Sequence, residues 1–343
     1  MPWLVAAGIL GALIARLPRA QLLHALAGGP STTVAVCSTV VAAAVLLADA
    51  WATRAAFAVT GVRCPWGSVL TARGATYLLG LLNFAVGQSG MGIYLHRAGV
   101  APLRTVGTLL FLFATQLGAL AALTAAGVLL EAGGGGSLGH SLAGSLPLLA
   151  ALAAAFALYL AVLARRPAWL ARREVLGPSF AAGAGGFVRA TAARLPQVLL
   201  MVGGLWLGGR LWGLSLPFGH GLVVLSAAVL ISALPLAPSG LGTLELALVD
   251  LISQYAPGAD AAAQRAGVLA FSLVYHLFGI ATQALLGLFC LAHATRQADS
   301  AYRRGRSAGP ECAVAPLPGA GETAVPEPAT APSAPPYDPQ ATG

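Results

Sequence analysis

Two short motifs of the type Ser-Gly-x-Gly lie 150 residues apart, each within a strongly apolar stretch. The first break covers residues 88–92 (Gln-Ser-Gly-Met-Gly) and the second break covers residues 238–242 (Pro-Ser-Gly-Leu-Gly). Each glycine costs about 1 kcal/mol in a helix interior, so both motifs predict interrupted helices. Backbone groups freed inside a membrane must line a cavity, and a helix N-terminus there attracts phosphate or carboxylate. The pair therefore predicts an anion site built from two broken helices.

Glycines in membrane helices have a second interpretation, because small residues also permit close helix packing. One motif alone would favour packing, whereas two motifs at matching places in two halves favour a binding site. A headgroup would then meet helices that start at Gly90 and Gly240. The predicted substrate-binding residues are Asn83, Gln88, Ser89, Gly90, Gly92, Arg97, Arg194, Pro238, Ser239, Gly240, Gly242 and Glu245.

Charged residues inside the apolar stretches are candidates for function, because charge in a membrane is costly. Glu245 follows Gly240 by five residues and could pair with an arginine, serve as a proton site or cap backbone N–H groups. Arg194 shares a helix face with Gln197 and could clamp a phosphate or extend to the membrane interface. Arg97 has the same two interpretations.

Three further polar positions receive structural interpretations. Asp49, Trp51 and Arg54 end an apolar stretch and predict an interfacial anchor. His276 shares a helix face with Gln283, and a lone histidine in a span is typical of packed, hydrogen-bonded residues. We therefore do not assign it a catalytic role.

Composition identifies an integral membrane protein, with 57% hydrophobic and 9% charged residues. All 19 basic residues are arginine, and they lie in short loops between apolar runs, as the positive-inside rule expects. The net charge of +8 therefore does not indicate nucleic-acid binding. The spacing of the cysteines and histidines suggests neither a disulfide nor a metal site. We predict no cofactor and, without a recognisable nucleophile motif or phosphate-binding loop, no enzyme.

The apolar stretches predict an all-α, polytopic membrane protein with about six full spans. Two more stretches, 75–95 and 219–255, contain the breaks and predict broken or re-entrant helix pairs, although each stretch could also cross once. The predicted organisation has two inverted-repeat halves, 1–130 and 146–295, separated by an extracytoplasmic Gly-rich loop (131–145). A cytoplasmic, disordered Pro/Ala-rich tail covers 296–343. The six full spans are 3–15, 34–51, 103–130, 146–164, 187–207 and 268–294.

The second break resembles the P-x-x-x-G-G-x-G-x-x-E signature of the flippase-like family, the transmembrane region of lysylphosphatidylglycerol synthase and its stand-alone relatives. The matching residues are 234–245, with Ser239 in place of the first glycine. Residues 77–100, with Asn83 and Arg97, resemble that family's N-x-x-x-P-G-x-x-G-G…R-x-x-G segment, although Gly87 stands where proline is common. The soluble aminoacyl-transfer domain is not among these residues, so the resemblance does not imply lipid aminoacylation.

The resemblance implies binding or translocation of an anionic phospholipid, aminoacyl-lipid or lipid-linked glycan in the cell membrane. One alternative is a secondary transporter of a small polar solute, coupled through Glu245 and enclosing a sealed cavity. Another is an accessory subunit of a membrane glycosyltransferase or lipid synthase. The expected partners are membrane lipid and, for an accessory subunit, the glycosyltransferase or lipid synthase. The sequence does not decide whether the protein forms a homo-oligomer.

Overall fold

The protein is described here as a computed structural model covering residues 2–15, 17–82, 84–133, 146–171, 173–232, 240–303 and 312–315. Its structure is mostly helical, which confirms the all-α prediction; two short strands, β1 (Val62–Arg63) and β2 (Ala313–Val314), pair antiparallel. The helices are α1 Pro2–Ala15, α2 Arg19–Gly28, α3 Ser31–Val59, α4 Trp66–Leu82, α5 Phe84–Arg97, α6 Pro102–Gly133, α7 Leu146–Arg165, α8 Ala168–Ala171, α9 Gly177–Leu211, α10 Phe218–Ser232, α11 Thr243–Ile252 and α12 Ala261–Arg303. A 3-10 turn, Ser253–Tyr255, follows α11.

In the part of the chain that the structure describes, four helices are long and apolar enough to cross a membrane: Ser31–Val59, Pro102–Glu131, Gly177–Leu211 and Ala261–Arg296. They contain four of the six spans predicted from the sequence. The other two predicted spans, 3–15 and 146–164, coincide with helices α1 and α7. These lengths and compositions support a membrane-embedded protein.

Helices α4 and α5 form an antiparallel pair. The start of α4 lies beside the end of α5, where the hydroxyl oxygens of Ser68 and Tyr94 are 2.8 Å apart. Near the tip, a Cβ atom on Gly87 would lie 2.9 Å from the Cα atom of Gly80. The two backbones therefore approach each other closely, as small residues allow in membrane helices.

The break predicted at residues 88–92 is wrong in position, because α5 continues through them from Phe84 to Arg97. Helix α4 ends at Leu82 and α5 begins at Phe84, before the motif. The glycine of the motif serves packing instead, since a Cβ atom on Gly90 would lie 2.6 Å from the side chain of Leu79 in α4. No helix therefore starts at Gly90.

Helices α10 and α11 form the second pair. Ser215 precedes α10 and Tyr255 follows α11. The backbone N–H of Ser215 donates to the carbonyl of Tyr255 over 2.9 Å, so the two ends of the pair lie together. Gly240 and Gly242 have φ angles of 75° and 88°, in the left-handed region that favours glycine. The second break is thus confirmed at Gly240–Gly242, and α11 starts at Thr243 rather than at Gly240.

The two helix pairs begin at opposite ends of α6. At the start of α6, Arg104 donates to the carbonyl of Thr60, which lies beside β1 and the first pair. Near the end of α6, a Cβ atom on Gly127 would lie 2.7 Å from the carbonyl of Gly219 in α10. At 1.5 Å per residue, the 32 residues of α6 separate these ends by about 48 Å.

The helices around the two pairs pack in a reciprocal pattern. Helix α3 packs along α9, α4 packs against α12, and α10 packs against α6. Helix α9 also contacts α6, as α3 contacts α12. Two apolar cores hold the bundle together, one around Phe111 and Phe187 and the other around Leu248 and Phe271.

A disulfide joins Cys64, next to β1, to Cys312, next to β2, across 248 residues of sequence. The backbone N–H of Ala315 donates to the carbonyl of Gly61 over 2.8 Å and extends this contact. The sequence analysis suggested no disulfide, and that prediction is wrong. Cysteine spacing indicates local motifs only, and this bond depends on tertiary structure.

Candidate functional site

A cavity of about 260 Å³ lies where the two helix pairs come together. The first pair contributes Gly87 and Gln88 near its tip, and the second pair contributes Ser232 and Gly240. The remaining walls come from α3, α6, α9 and α12. Residues from both sequence motifs therefore line one cavity.

The carboxylate of Asp49 organises the charged side of this cavity. It accepts from Arg73 Nε over 2.6 Å and from Arg194 Nη1 over 3.1 Å. Arg73 Nη2, the hydroxyl of Tyr77 and the hydroxyl of Thr53 add longer bonds of 3.3 to 3.4 Å. A carboxylate has about four acceptor positions, so these five bonds occupy both oxygens fully. Asp49 is buried, and the predicted interfacial anchor is wrong for it.

Arg194 is only 3% exposed and lies at the centre of the polar cluster. Its Nη1 is 2.7 Å from Gln197 Oε1 and 3.1 Å from Gln116 Oε1, in addition to its contact with Asp49. The predicted shared face with Gln197 is confirmed, and an extended side chain at the membrane interface is not. Its buried Nε makes no hydrogen bond with any part of the chain that the structure describes.

Four glutamine side chains line the cavity: Gln88, Gln116, Gln197 and Gln283. Two of them, Gln116 and Gln197, direct their carbonyl oxygens at Arg194. Their amide N–H groups are then the ends that can meet a ligand, although Gln197 Nε2 also lies 3.9 Å from the sulfur of Met201. This side of the cavity consequently offers hydrogen-bond donors rather than acceptors.

The polar cavity residues lie near the middle of the four apolar spans. Arg194 is the central residue of Gly177–Leu211, and Gln116 adjoins the centre of Pro102–Glu131. Asp49 and Gln283 lie within five residues of the centres of their spans, or about 7 Å along a helix. Polar groups at this depth are costly in lipid and indicate a functional site.

Glu245 lies outside the cavity lining and is completely buried. Its Oε2 accepts from the backbone N–H of Gly242 over 2.5 Å, and its Oε1 is 2.7 Å from His276 Nδ1. The capping role is confirmed, and the side-chain partner is a histidine rather than an arginine. The N-terminus of α11 therefore contacts this carboxylate, whereas the sequence analysis predicted that it contacts a headgroup.

The other predicted substrate-binding residues are dispersed. Gln88 and Gly240 line the cavity, whereas Ser89 and Arg97 are exposed. Gly92 packs against α6, since a Cβ atom there would meet the side chains of two α6 residues at 3.5 to 3.6 Å. Asn83, Pro238 and Ser239 lie outside the described residues.

The sequence analysis missed Arg73, Tyr77 and Gln116 as cavity residues and assigned Asp49 a different role. A search for polar residues near the centre of apolar spans would have found Asp49 and Gln116. Arg73 and Tyr77 belong to α4, which is too short for such a search.

Within the ranges that the structure describes, no three histidine, cysteine or acidic side chains gather to hold a metal ion. No protein-family model matches the chain, and no curated protein is significantly similar to it.

Proposed function

We propose that the protein binds a lipid by its anionic headgroup in this cavity and moves it between the leaflets of the cell membrane. The observation that carries the proposal is Arg194, a buried guanidinium at the centre of an apolar span. Its buried Nε makes no hydrogen bond with the described chain, and the Arg194 residue lines the cavity. An oxyanion is the ligand that such a group binds best.

The position of Phe113 favours a lipid over a small solute. This side chain lines the cavity and is 41% exposed, and it lies three residues before Gln116, near the centre of its span. We propose that the cavity opens beside Phe113 to the outer surface of the bundle, at a depth occupied by hydrocarbon. A headgroup could enter there while its acyl chains stay in the bilayer, which a sealed solute cavity would not allow.

The proposed mechanism uses two inverted repeats, each with an N-terminal helix, a span, a helix pair and a final span. Helices α1 to α6 form one repeat and α7 to α12 the other. The reciprocal packing of α4 with α12 and α10 with α6 supports this symmetry, as do the helix pairs that begin at opposite ends of α6. In transporters built this way, the substrate site lies near the membrane centre between the repeats.

This arrangement gives six full spans, with α1 and α7 added to the four long ones. We propose that the arginine-rich end, with Arg54, Arg97 and Arg165, faces the cytoplasm together with the C-terminal tail. We propose that the chain is a stand-alone relative of the flippase-like family, because residues 234–245 resemble its signature.

Glu245 is the coupling residue of the alternative solute transporter. It is engaged by Gly242 and His276 and does not line the cavity. Its geometry therefore supports a structural role and favours the lipid proposal.

The test is native mass spectrometry of lipids that co-purify with the full chain in mild detergent. We expect the wild type to retain an anionic lipid class and Arg194→Gln to lose it. Arg189→Gln is the matched control, because Arg189 is exposed on the same helix and does not line the cavity. Identical lipid profiles for wild type and Arg194→Gln would refute the headgroup site.

Translocation is tested with the lipid found in that experiment, carrying a fluorescent label, in vesicles that contain the purified protein. A quencher is added outside the vesicles, and the remaining fluorescence comes from labelled lipid in the inner leaflet. This fluorescence should decay faster with wild type than with Arg194→Gln. Selective retention without faster quenching would leave a lipid-binding accessory subunit as the function.

A further inference from the structure

We infer that the headgroup is a singly charged phosphodiester whose remaining groups are uncharged and hydroxylated. This inference rests on the proposed function, and it narrows the ligand from any anionic lipid to one charge class. It follows from the charge balance and the donor and acceptor balance of the cavity.

The cavity carries one unbalanced positive charge. Of the described residues that line it, Arg73 and Arg194 are cationic and Asp49 is anionic, which leaves a net charge of +1. Arginine does not lose its proton in proteins, and Asp49 is held as an anion by two guanidinium groups. An uncompensated buried charge is strongly unfavourable, so a ligand with one negative charge stabilises the site best.

On the charged side of the cavity, the strongest acceptor for a headgroup ammonium, Asp49, is already engaged by Arg73 and Arg194. Both oxygens of Asp49 already accept hydrogen bonds, and the carbonyl oxygens of Gln116 and Gln197 accept from Arg194. A zwitterionic headgroup would also leave the net charge at +1. Ethanolamine-type and aminoacyl-type headgroups therefore fit less well than a headgroup without an amine.

A dianionic headgroup would replace the excess positive charge with an excess negative charge. A phosphate monoester or a pyrophosphate carries up to two negative charges, which would bring the cavity to a net charge of −1. The carboxamides of Gln88 and Gln283 add uncharged hydrogen-bonding groups, which suit hydroxyls. A phosphodiester esterified with a polyol satisfies both requirements.

The first experiment offers the delipidated full chain an equimolar mixture of phosphatidylglycerol, phosphatidylethanolamine and phosphatidic acid, with native mass spectrometry as readout. These lipids carry one, zero and up to two net negative charges. We expect phosphatidylglycerol to be preferred about tenfold or more, the ratio that corresponds to about 1.4 kcal/mol. A preference for phosphatidic acid overturns the inference and leaves the proposed function intact, whereas a preference for phosphatidylethanolamine overturns both. The absence of any selective binding overturns both.

Charge variants test the same inference through a change of preference rather than a loss of binding. Arg73→Gln lowers the lining charge to zero and should remove the preference for phosphatidylglycerol over phosphatidylethanolamine. Asp49→Asn raises it to +2 and should shift the preference towards phosphatidic acid. Arg189→Gln lies outside the cavity, so it should keep the wild-type order. Unchanged preferences in both charge variants would refute the inference.

Each variant is first checked for a single symmetric elution peak by size exclusion. If Arg73→Gln or Asp49→Asn fails this check, the competition with the wild-type protein decides, because a preference for phosphatidylethanolamine or phosphatidic acid contradicts the charge balance.

A final arm separates a lipid from a soluble ligand of the same chemistry. Glycerophosphoglycerol carries the same charge and hydroxyls as phosphatidylglycerol but has no acyl chains. We expect it to compete at least about tenfold less well, since buried acyl chains add hydrophobic free energy. Equal competition would keep the monoanion assignment and identify a soluble solute, which overturns the lipid proposal.

Discussion

Replacing Glu245 with alanine tests whether this carboxylate holds the second helix pair in place. Glu245 is completely buried and joins the backbone N–H of Gly242 to the imidazole of His276 in α12. The first contact caps α11, and the second fixes α11 to a long apolar span. Both contacts are lost in the alanine variant, and the Gly242 N–H then loses its acceptor in the protein interior.

The expected cost follows from these two contacts. A lost helix cap costs about 1 kcal/mol, and a buried hydrogen bond to a charged group contributes about 1.5 to 3 kcal/mol. Glu245→Ala should therefore lower the free energy of unfolding by roughly 3 kcal/mol. Glu245→Gln keeps an acceptor for the Gly242 N–H and should lose less. In a double-mutant cycle with His276→Ala, the coupling energy should be about 1 to 2 kcal/mol.

Unfolding in mixed detergent micelles, followed by tryptophan fluorescence, measures these differences. Asp250→Ala is the matched control, because Asp250 is an exposed acid on the same short helix. If Glu245→Ala is as stable as Asp250→Ala, the capping argument is wrong. Glu245→Gln should also retain the same lipid as wild type, and loss of that lipid would place Glu245 in the binding site.

Three further predictions concern the helix pairs and the disulfide. Gly87→Leu should reduce the yield of folded protein, because its side chain would meet the backbone of α4, whereas Gly67→Leu on an open face should not; equal yields would contradict this. Gly240→Ala should destabilise by about 1 to 2 kcal/mol in the same unfolding assay, because its φ is +75°, and wild-type stability would argue against that conformation. Cys64 and Cys312 should resist maleimide labelling in purified protein until a reductant is added. Labelling of either cysteine before reduction, detected by peptide mass spectrometry, would contradict the disulfide.

The sequence predicted the membrane class and four of the long spans because apolar runs of that length have few other uses. It also predicted the second break, where Gly240 and Gly242 adopt left-handed conformations. It failed at the first break, because glycine in a membrane helix serves packing as readily as interruption. Gly87 and Gly90 pack against α4, and α5 already begins at Phe84, before the motif.

The candidate site was harder to predict than the fold, because its residues come from separate helices. Arg194 and Gln197 share one helix face, so the sequence alone linked them. The bond between Arg194 and Asp49 crosses 145 residues and depends on the packing of α9 along α3. Glu245 was recognised as unusual, but its histidine partner lies 31 residues away in another helix, beyond any local pattern.

The orientation of the protein depends on two signals that lie at the same end of the bundle and disagree. Arg54, which counts towards a cytoplasmic end, donates to the carbonyl of Cys64, which forms the disulfide. Arginines favour the cytoplasm, whereas disulfides persist in oxidising compartments. If this end is cytoplasmic, the two thiols are reduced in the cell, and β2 is held by the two-residue ladder and the hydrogen bond from Ala315 to Gly61. The cavity lies near the centres of the spans, so its charge balance, and the headgroup inferred from it, are the same in either orientation.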